Sequence, residues 1–321
     1  MEKKDLKIVF FGTPDFAVES LKRLVEGGYN VVGVVTMPDK PAGRGHHLLQ
    51  SDVKKYAVEN GLHLMQPVKL KDEEFVNELR SLNADLFIVI AFRMLPEVVW
   101  TMPPLGTFNL HASLLPKYRG AAPINWAVMN GETETGVTTF FLKHEIDTGD
   151  VIQQKSFPIG RKDNVETIHD GLMMMGAGMV IETVDAIIAG TVKPIPQSEM
   201  LTAGEKPTPA PKIFKDTCRI DWNWCAEKVY NHVRGLSPYP AAWTEIVDAV
   251  GKVYAVKIFE TGEPEAPSAN LVPGTLTTDG KRLWVACADA KIEILSLQMA
   301  GKRRMPTADF LRGFNIEGCH C

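Results

Sequence analysis

The sequence predicts an α/β protein, a parallel sheet with a smaller β-rich domain after it, and three observations carry that prediction. The first half alternates short apolar runs with helical spacings, as strand–helix–strand crossovers in a parallel sheet require. A proline-rich stretch, 190–212, then interrupts the alternation. Beyond it come short strand-like runs separated by turns, the pattern of a small barrel or sandwich.

"KIVFFG" (7–12) is nearly all apolar, as a strand buried on both faces must be. Thr13 is placed to cap the next helix and Pro14 to occupy its first position. Phe16, Ala17, Ser20, Leu21 and Leu24 follow at helical spacing, and Gly27-Gly28 ends the run. "NVVGVVT" (30–36), "LHLM" (62–65) and "DLFIVIAF" (85–92) read as further strands, with helices beginning near Ser51 and Asp72. "GTFNLHAS" (106–113) is the next strand. It places Asn109 and His111 at its C-terminal end, the edge where open α/β sheets bind ligands. A helical run from about Val165 to Ala189 closes this part. The expected division is 1–189, an extended linker over 190–212, and 213–321. The last part has a helix around Ala226–Arg234 and the strand-like runs "AWTEIV", "VYAVKIF", "GTLTT", "RLWVACA" and "KIEILSLQ". An OB-like barrel is one option for it.

Composition narrows the function. The chain has 321 residues, 45% hydrophobic and 23% charged, with a net charge of −4. Residues 1–190 carry 19 basic and 24 acidic side chains, and 191–321 carry 16 and 15, so neither half is a general nucleic-acid binder. An RNA partner would have to meet local patches: Lys40 and Arg44 in "DKPAGRGHH" (39–47), and Lys302, Arg303 and Arg304 in "GKRRMP" (301–306). On charge alone both are ordinary solvated loops. Five unpaired-looking cysteines point to a reducing cytoplasm. The tail "GCHC" lacks a second ligand pair and reads as a frayed terminus; no metal is expected. The first apolar run is too short for a signal peptide or membrane span. No GxGxxG opens the first helix and no GxxxxGK[ST] occurs, so nucleotide-cofactor readings lose their anchor.

"FNLHASLLP" puts an amide, an imidazole and a hydroxyl at every second position, on one face of a strand. "KHEIDTGDVI" (143–152) adds Asp147 in a polar turn. Asn109, His111 and Asp147 together suit a carbonyl that becomes tetrahedral. Amide and imidazole donate to the oxyanion while the carboxylate orients the ring or assists proton removal. Ser113 has no base fixed beside it, which favours direct transfer to an amine or water over an acyl-enzyme. Singly, a strand histidine or an Asp-Thr-Gly turn is usually structural. Bottom-up, the constellation stops at acyl transfer, one-carbon transfer or hydrolysis.

The run "FNLHASLLPKYRGAAPINWAVMNGETETGVTTFF…IDTGDVI" resembles the signature of the 10-formyltetrahydrofolate-dependent formyltransferases. "FFGTPDFAVESL", "PDKPAGRG", "LQSDVKKYA" and "RIDW" (219–222) narrow the resemblance to members acting on initiator Met-tRNA. It implies a Rossmann-like formyltransferase domain followed by an OB-like tRNA-binding domain. Asn109, His111 and Asp147 match the family's catalytic amide, imidazole and carboxylate. Ser113, Leu114, Leu115 and Pro116 match its SLLP turn beside the folate. The pterin would lie against the backbone around Ile90, Ala91, Phe92 and Leu95. Arg44 and Lys40 lie on the loop that reaches the acceptor end, and Lys302, Arg303 and Arg304 become phosphate contacts. Lys206 and Lys212 of the linker are weaker candidates. A monomer without membrane contact is expected.

Two positions depart from the family pattern: Phe92-Arg93 stands where many members have Tyr-Gly, and Lys143-His144-Glu145 where many have an acidic residue and a glycine. The rival acceptors are a nucleotide-linked amino sugar, water in a formyltetrahydrofolate hydrolase, and glycinamide ribonucleotide. The last two leave 213–321 without a purpose. A non-catalytic RNA-binding module is the rival of a different class, and it gives no reason to keep all three polar residues.

Overall fold

The structure, a computed structural model, describes residues 2–42, 47–201, 204 and 206–321. Two compact units emerge, each discontinuous in sequence: 1–120, 135–157 and 169–209 in one, and 121–134, 158–168 and 210–321 in the other.

In the first unit, β1 (Lys7–Gly12), α1 (Asp15–Glu26) and β2 (Asn30–Val35) lead to a ribbon of β3 (Lys40–Ala42) and β4 (His47–Leu49). Then come α2 (Asp52–Glu59), β5 (Leu64–Met65), α3 (Glu73–Ser81), β6 (Leu86–Ile90), α4 (Glu97–Trp100), β7 (Thr107–His111) and the short β8 (Arg119–Gly120). After α5 (Pro123–Met129) the chain returns through β9 (Glu134–Phe141), β10 (Val151–Pro158) and α6 (Val165–Ala189). The sheet runs β10-β9-β7-β6-β1-β2-β5. Strands β7, β6, β1, β2 and β5 are parallel, and β9 is antiparallel to β7. The chain leaves β1 towards β2 on one side and later towards β6 on the other. This Rossmann-like order puts the natural crevice at the C-terminal edge between β1 and β6, with β7 the next strand over.

Because helices cover both faces, the central strands are apolar throughout, as "KIVFFG" anticipates. Val9, Phe11, Phe87 and Val89 pack with Phe75, Val76 and Leu79 of α3 and Val99 of α4. On the opposite face α6 comes close to β7: a Cβ on Gly176 would lie 2.7 Å from Leu110 Cδ2. Thr183 and Thr139 share a buried hydroxyl–hydroxyl bond of 2.9 Å. By length and composition α6 could cross a bilayer; these contacts are those of a core helix.

Ser51 caps α2, accepting from Lys54 N at 3.0 Å, as its position predicts. Thr13 does not cap α1. The N-cap is Pro14, and Phe16 N donates to Asp15 Oδ1 instead. One residue of shift puts a carboxylate on the positive helix end, where it is favoured over a hydroxyl. The stretch 190–212 is also more structured than a bare linker. Ile195 exchanges backbone hydrogen bonds of 2.8 and 2.9 Å with Val151, and Gln197, in a 3-10 turn, is only 3% exposed. Prolines deny such a segment a long ladder, but single bonds and one buried side chain suffice to dock it.

Further along, β11 (Pro209–Ala210) precedes α7 (Ala226–Leu236), β12 (Ala242–Val247), β13 (Val253–Thr261), β14 (Leu276–Thr278), β15 (Leu283–Ala286), β16 (Lys291–Met299), β17 (Met305–Pro306) and α8 (Thr307–Gly313). The antiparallel order β12-β13-β16-β15-β14, with β17 added to β16, forms a curled OB-like half-barrel. Val229, Val233 and Leu236 of α7 pack on Val256, Ile292 and Leu297 of the sheet. At Gly235 a Cβ would sit 2.8 Å from Met129 N, so only glycine lets α5 lie this close to α7. The tail is not frayed. Val247 N donates to His320 O at 2.8 Å, His320 N returns to Val247 O at 3.0 Å, and Cys321 N donates to Gly274 O at 2.8 Å. Unpaired backbone groups at the end of β12 capture it, and burial pushes the Cys321 thiol up to about 12.

Two predictions follow from this packing. A Cβ at Gly149 would fall 1.6 Å from Phe141 O, so Gly149→Ala is expected to cost about 3 kcal/mol or more, read as a lowered Tm; an unchanged Tm would refute the contact. His232 is 6% exposed, and burial, with Lys228 nearby, drives its imidazole down to about 4 from 6.5, although a bond to the Cys218 backbone opposes this. The unfolded chain takes up that proton below about pH 6.5 while the folded chain refuses it until about pH 4, so this stability is full above 6.5 and lost on acidification. The Tm advantage of the parent over His232→Gln should therefore shrink between pH 7 and pH 4.5, and a difference constant with pH would contradict it.

Candidate functional site

The site begins with alternation along β7. Phe108 and Leu110 are buried, and Asn109 and His111 take the other face, paired across the antiparallel ladder with Phe140 and Thr138 of β9. His111 is the last residue of β7 and 7% exposed. Its Nε2 lies 2.8 Å from Tyr118 O. A carbonyl only accepts, so Nε2 carries the proton of that bond. Nδ1 faces Asp147 Oδ2 at 3.9 Å, too far for a hydrogen bond and close enough for a charge interaction. Phe140 stands edge-on to the imidazole at 6.5 Å.

Asp147 sits in the β9–β10 connection, and its Oδ2 accepts from Gly120 N at 2.9 Å. Its backbone is left-handed, φ 55°, as are those of Ala91 at 46° and Tyr118 at 61°. That conformation costs a non-glycine residue roughly 1–2 kcal/mol. Two of these residues, Tyr118 and Asp147, face the His111 imidazole, and Ala91 follows the end of β6; strain of this kind is what functional sites retain.

The predicted "SLLP" turn is tied off internally. Ser113 Oγ donates to Lys117 O at 2.7 Å, and Thr138 Oγ1 donates to Ser113 O at 2.7 Å. Gln154 Nε2 holds Leu115 O at 2.6 Å, and the Leu115–Pro116 peptide is cis. Leu115 packs with Phe140 and Val151, and Leu114 is half-buried beside Gly136. Along the edge of β6, Ile90 and Leu95 are buried, Ala91 is exposed, and Phe92 stands edge-on to Phe11 at 5.8 Å. Phe92 and Leu95 join the apolar cluster under α3 and α4. A ligand here would meet backbone and not these side chains. Arg93 turns its guanidinium to the carbonyls of Val68, at 2.7 Å, and Pro67, and burial pulls its pKa down.

Four residues near Asp147 escaped the sequence reading: Tyr118, Arg119, Gly120 and Gln197. None lies in a periodic pattern, and Gln197 sits 50 positions downstream of Asp147 in the proline-rich stretch. Arg119 donates through Nε and Nη2 to Gln197 Oε1 at 3.0 and 2.7 Å. Burial draws the Arg119 pKa down against the opposing pull of Asp147 and Glu145.

The basic candidates fall in separate places. Arg44 lies outside the described residues. Lys40 is exposed on β3. Lys302, Arg303 and Arg304 are exposed on the β16–β17 turn. Arg304 lies 4.5 Å over the Phe259 ring and lines a cleft of about 520 Å³ with Lys162, Asn164 and Arg234. Lys162 had no charge run to mark it. Among the described residues no group of three or more His, Cys, Asp or Glu could hold a metal.

Comparison with known proteins agrees with this architecture. Residues 6–184 match the formyl transferase family and 212–315 the formyl transferase C-terminal domain. Methionyl-tRNA formyltransferase of Bacteroides fragilis is 65% identical over 98% of this chain and 97% of its own. An N-formyltransferase from Helicobacter canadensis, solved with folinic acid and dTDP-3-aminofucose, shares the fold at TM-score 0.66 and 19% identity, over 90% of this chain and 98% of that one. HypX from Aquifex aeolicus, solved with tetrahydrofolic acid, does so at TM-score 0.61 and 21% identity, over 95% of this chain and 46% of that one. A match of this extent in both halves leaves one assignment: the chain belongs to the formyl transferase family, among its methionyl-tRNA formyltransferases.

Proposed function

We propose that the chain moves the formyl group of 10-formyltetrahydrofolate onto the α-amino group of methionine carried by initiator tRNA, with Asn109, His111 and Asp147 as the catalytic residues. The observation that carries the chemistry is the buried His111–Asp147 pair at 3.9 Å, with the other ring nitrogen engaged by Tyr118 O. With Nε2–H bound to Tyr118 O, it is the doubly protonated ring that has an N–H at Nδ1, and that N–H and the amide of Asn109 are the donors to the formyl oxygen. As the amine nitrogen bonds to the formyl carbon, the oxygen gains charge that these two groups can accept. Asp147 takes the proton the amine loses and returns it to N10 as the carbon–N10 bond breaks, so the carboxylate ends as it began. Asp147 also serves as counter-charge when His111 carries a second proton. Ser113 takes no covalent part, its hydroxyl being bound to Lys117 O.

The folate is a cosubstrate, and the turn 113–116 with the backbone of 90–95 is our assignment for its pocket. Residues 1–189 act as the catalytic part, 190–212 connect, and 213–321 bind tRNA. Lys40, Arg44, Lys302, Arg303 and Arg304 contact its phosphates. A monomer in the cytoplasm, needing no metal, completes the reading.

Purified protein with 10-formyltetrahydrofolate and charged initiator tRNA should yield formylmethionine. His111→Ala and Asn109→Ala should each lower kcat by about 10²–10³-fold with little change in tRNA Kd. Turnover of a nucleotide-linked amino sugar or of water, with none of Met-tRNA, would defeat the assignment of acceptor. Removing Lys302 and Arg304 together should raise KM for tRNA, leave kcat intact, and flatten the salt dependence of binding by about one log–log unit per lost contact. An unchanged salt slope would remove these residues from the interface.

A further inference from the structure

Resting on that reading of Asp147, we infer that Gln197 is a positioning residue for catalysis, a built-in brace that sets the backbone from which the Asp147 carboxylate projects.

Within the connection carrying Asp147 the ties are local: Lys143 Nζ to Asp150 Oδ1 at 2.6 Å and Thr148 Oγ1 to Glu145 O at 3.0 Å. Ile146 is 63% exposed, Glu145 is exposed, and Asp147 itself adopts a left-handed backbone, φ 55°, a conformation aspartate tolerates better than most non-glycine residues. Gln197 ties this connection to a segment 50 residues away. Its Nε2 donates to Asp147 O at 2.9 Å and to Gly149 O at 2.8 Å, so one amide spans the turn. Its Oε1 accepts both bonds from Arg119. This arrangement fixes which end of the amide is which. Reversed, Oε1 would face two carbonyls and the NH₂ would face a guanidinium, with no acceptor anywhere. Arg119 immediately precedes Gly120, whose N–H holds the Asp147 carboxylate. Backbone and side chain of Asp147 are thus gripped by one closed circuit, Arg119–Gln197–Asp147–Gly120. The strand of chain bearing Gln197 is fastened on both sides, by Ile195 to Val151 and by Arg119 N to Thr208 O at 3.0 Å.

Every part of this circuit lies within the first unit. A side chain 3% exposed with all four of its polar bonds used is a specific arrangement and not loose surface packing. Its geometric purpose is narrow. A displacement of about 1 Å in a reacting group can cost 10²-fold in rate, and the 3.9 Å separation of Asp147 from His111 is where such a displacement would be felt.

The test compares Gln197→Ala, Gln197→Glu, Asp147→Asn and the double variant Gln197→Ala/Asp147→Asn in the full chain, with 10-formyltetrahydrofolate and charged initiator tRNA. Gln197→Ala should lower kcat by about 10- to 100-fold with KM for tRNA unchanged. Gln197→Glu keeps volume and the bonds to Arg119 but turns a carboxylate on two carbonyls, so it should be at least as slow, which keeps the test valid should the alanine variant melt. The double variant should be no slower than Asp147→Asn, because a brace has no effect once its load is gone. Full activity in Gln197→Ala, recovery in Gln197→Glu, or multiplying losses in the double variant would each overturn the brace while Asp147→Asn stays slow. Asp147→Asn turning over as fast as the parent would overturn the reading of Asp147 itself.

Discussion

The arrangement turns on one constraint: a carboxylate must stay opposite a buried imidazole although its own backbone conformation is unfavourable. His111 is 7% exposed and bound at Nε2, and Asp147 stands off at 3.9 Å from a left-handed residue. A left-handed residue is one that its surroundings must specify, since the right-handed and extended regions are open to it as well. Neighbouring features do so. Gly149 lets the turn pass against Phe141 O, Gly120 N holds the carboxylate, and Gln197 clamps the carbonyls.

That turn works only because the sheet delivers His111 to the right place. Parallel order and two covered faces make the strands apolar, so polar residues emerge at their ends. β7 stops at His111, and the chain immediately enters the 113–116 turn, stabilised by Thr138 of β9 and Gln154 of β10. The imidazole therefore belongs to rigid secondary structure, while its partner carboxylate belongs to a loop that needs external support. Two groups divided between a rigid strand and a loop commonly rely on distant residues for registration.

The second unit obeys different rules. Its half-barrel has antiparallel strands of alternating burial, and α7 closes the core with Val229, Val233 and Leu236. Lys302, Arg303 and Arg304 stand together on the β16–β17 turn, and the unit's one deeply buried imidazole, His232, is kept neutral by desolvation down to about pH 4. The C-terminal residues, which composition alone suggests should fray, fill backbone positions left open beside β12. That edge is created only when five strands come together, so no local propensity announces it.

Much of this was legible in the residues. Hydrophobic period located the strands at 7–12, 30–35 and 86–90 and the long helix at 165–189, because local backbone preference and side-chain alternation act over few residues. The same alternation put Asn109 and His111 on one face of β7, and Ser51 declared the start of α2. Thr13 misled for the reciprocal reason: a capping hydroxyl and a helix-end carboxylate two residues apart look alike until tertiary packing chooses. What the amino-acid order alone determined was the elements, the polar face of β7 and the resemblance that names a chemistry. Tertiary structure alone decided that Tyr118 O would take one nitrogen of His111, that Gly120 would hold Asp147, and that Gln197 would return from 50 residues away to brace it. Those contacts join segments with no shared period, and their geometry exists only after the sheet has brought the segments together.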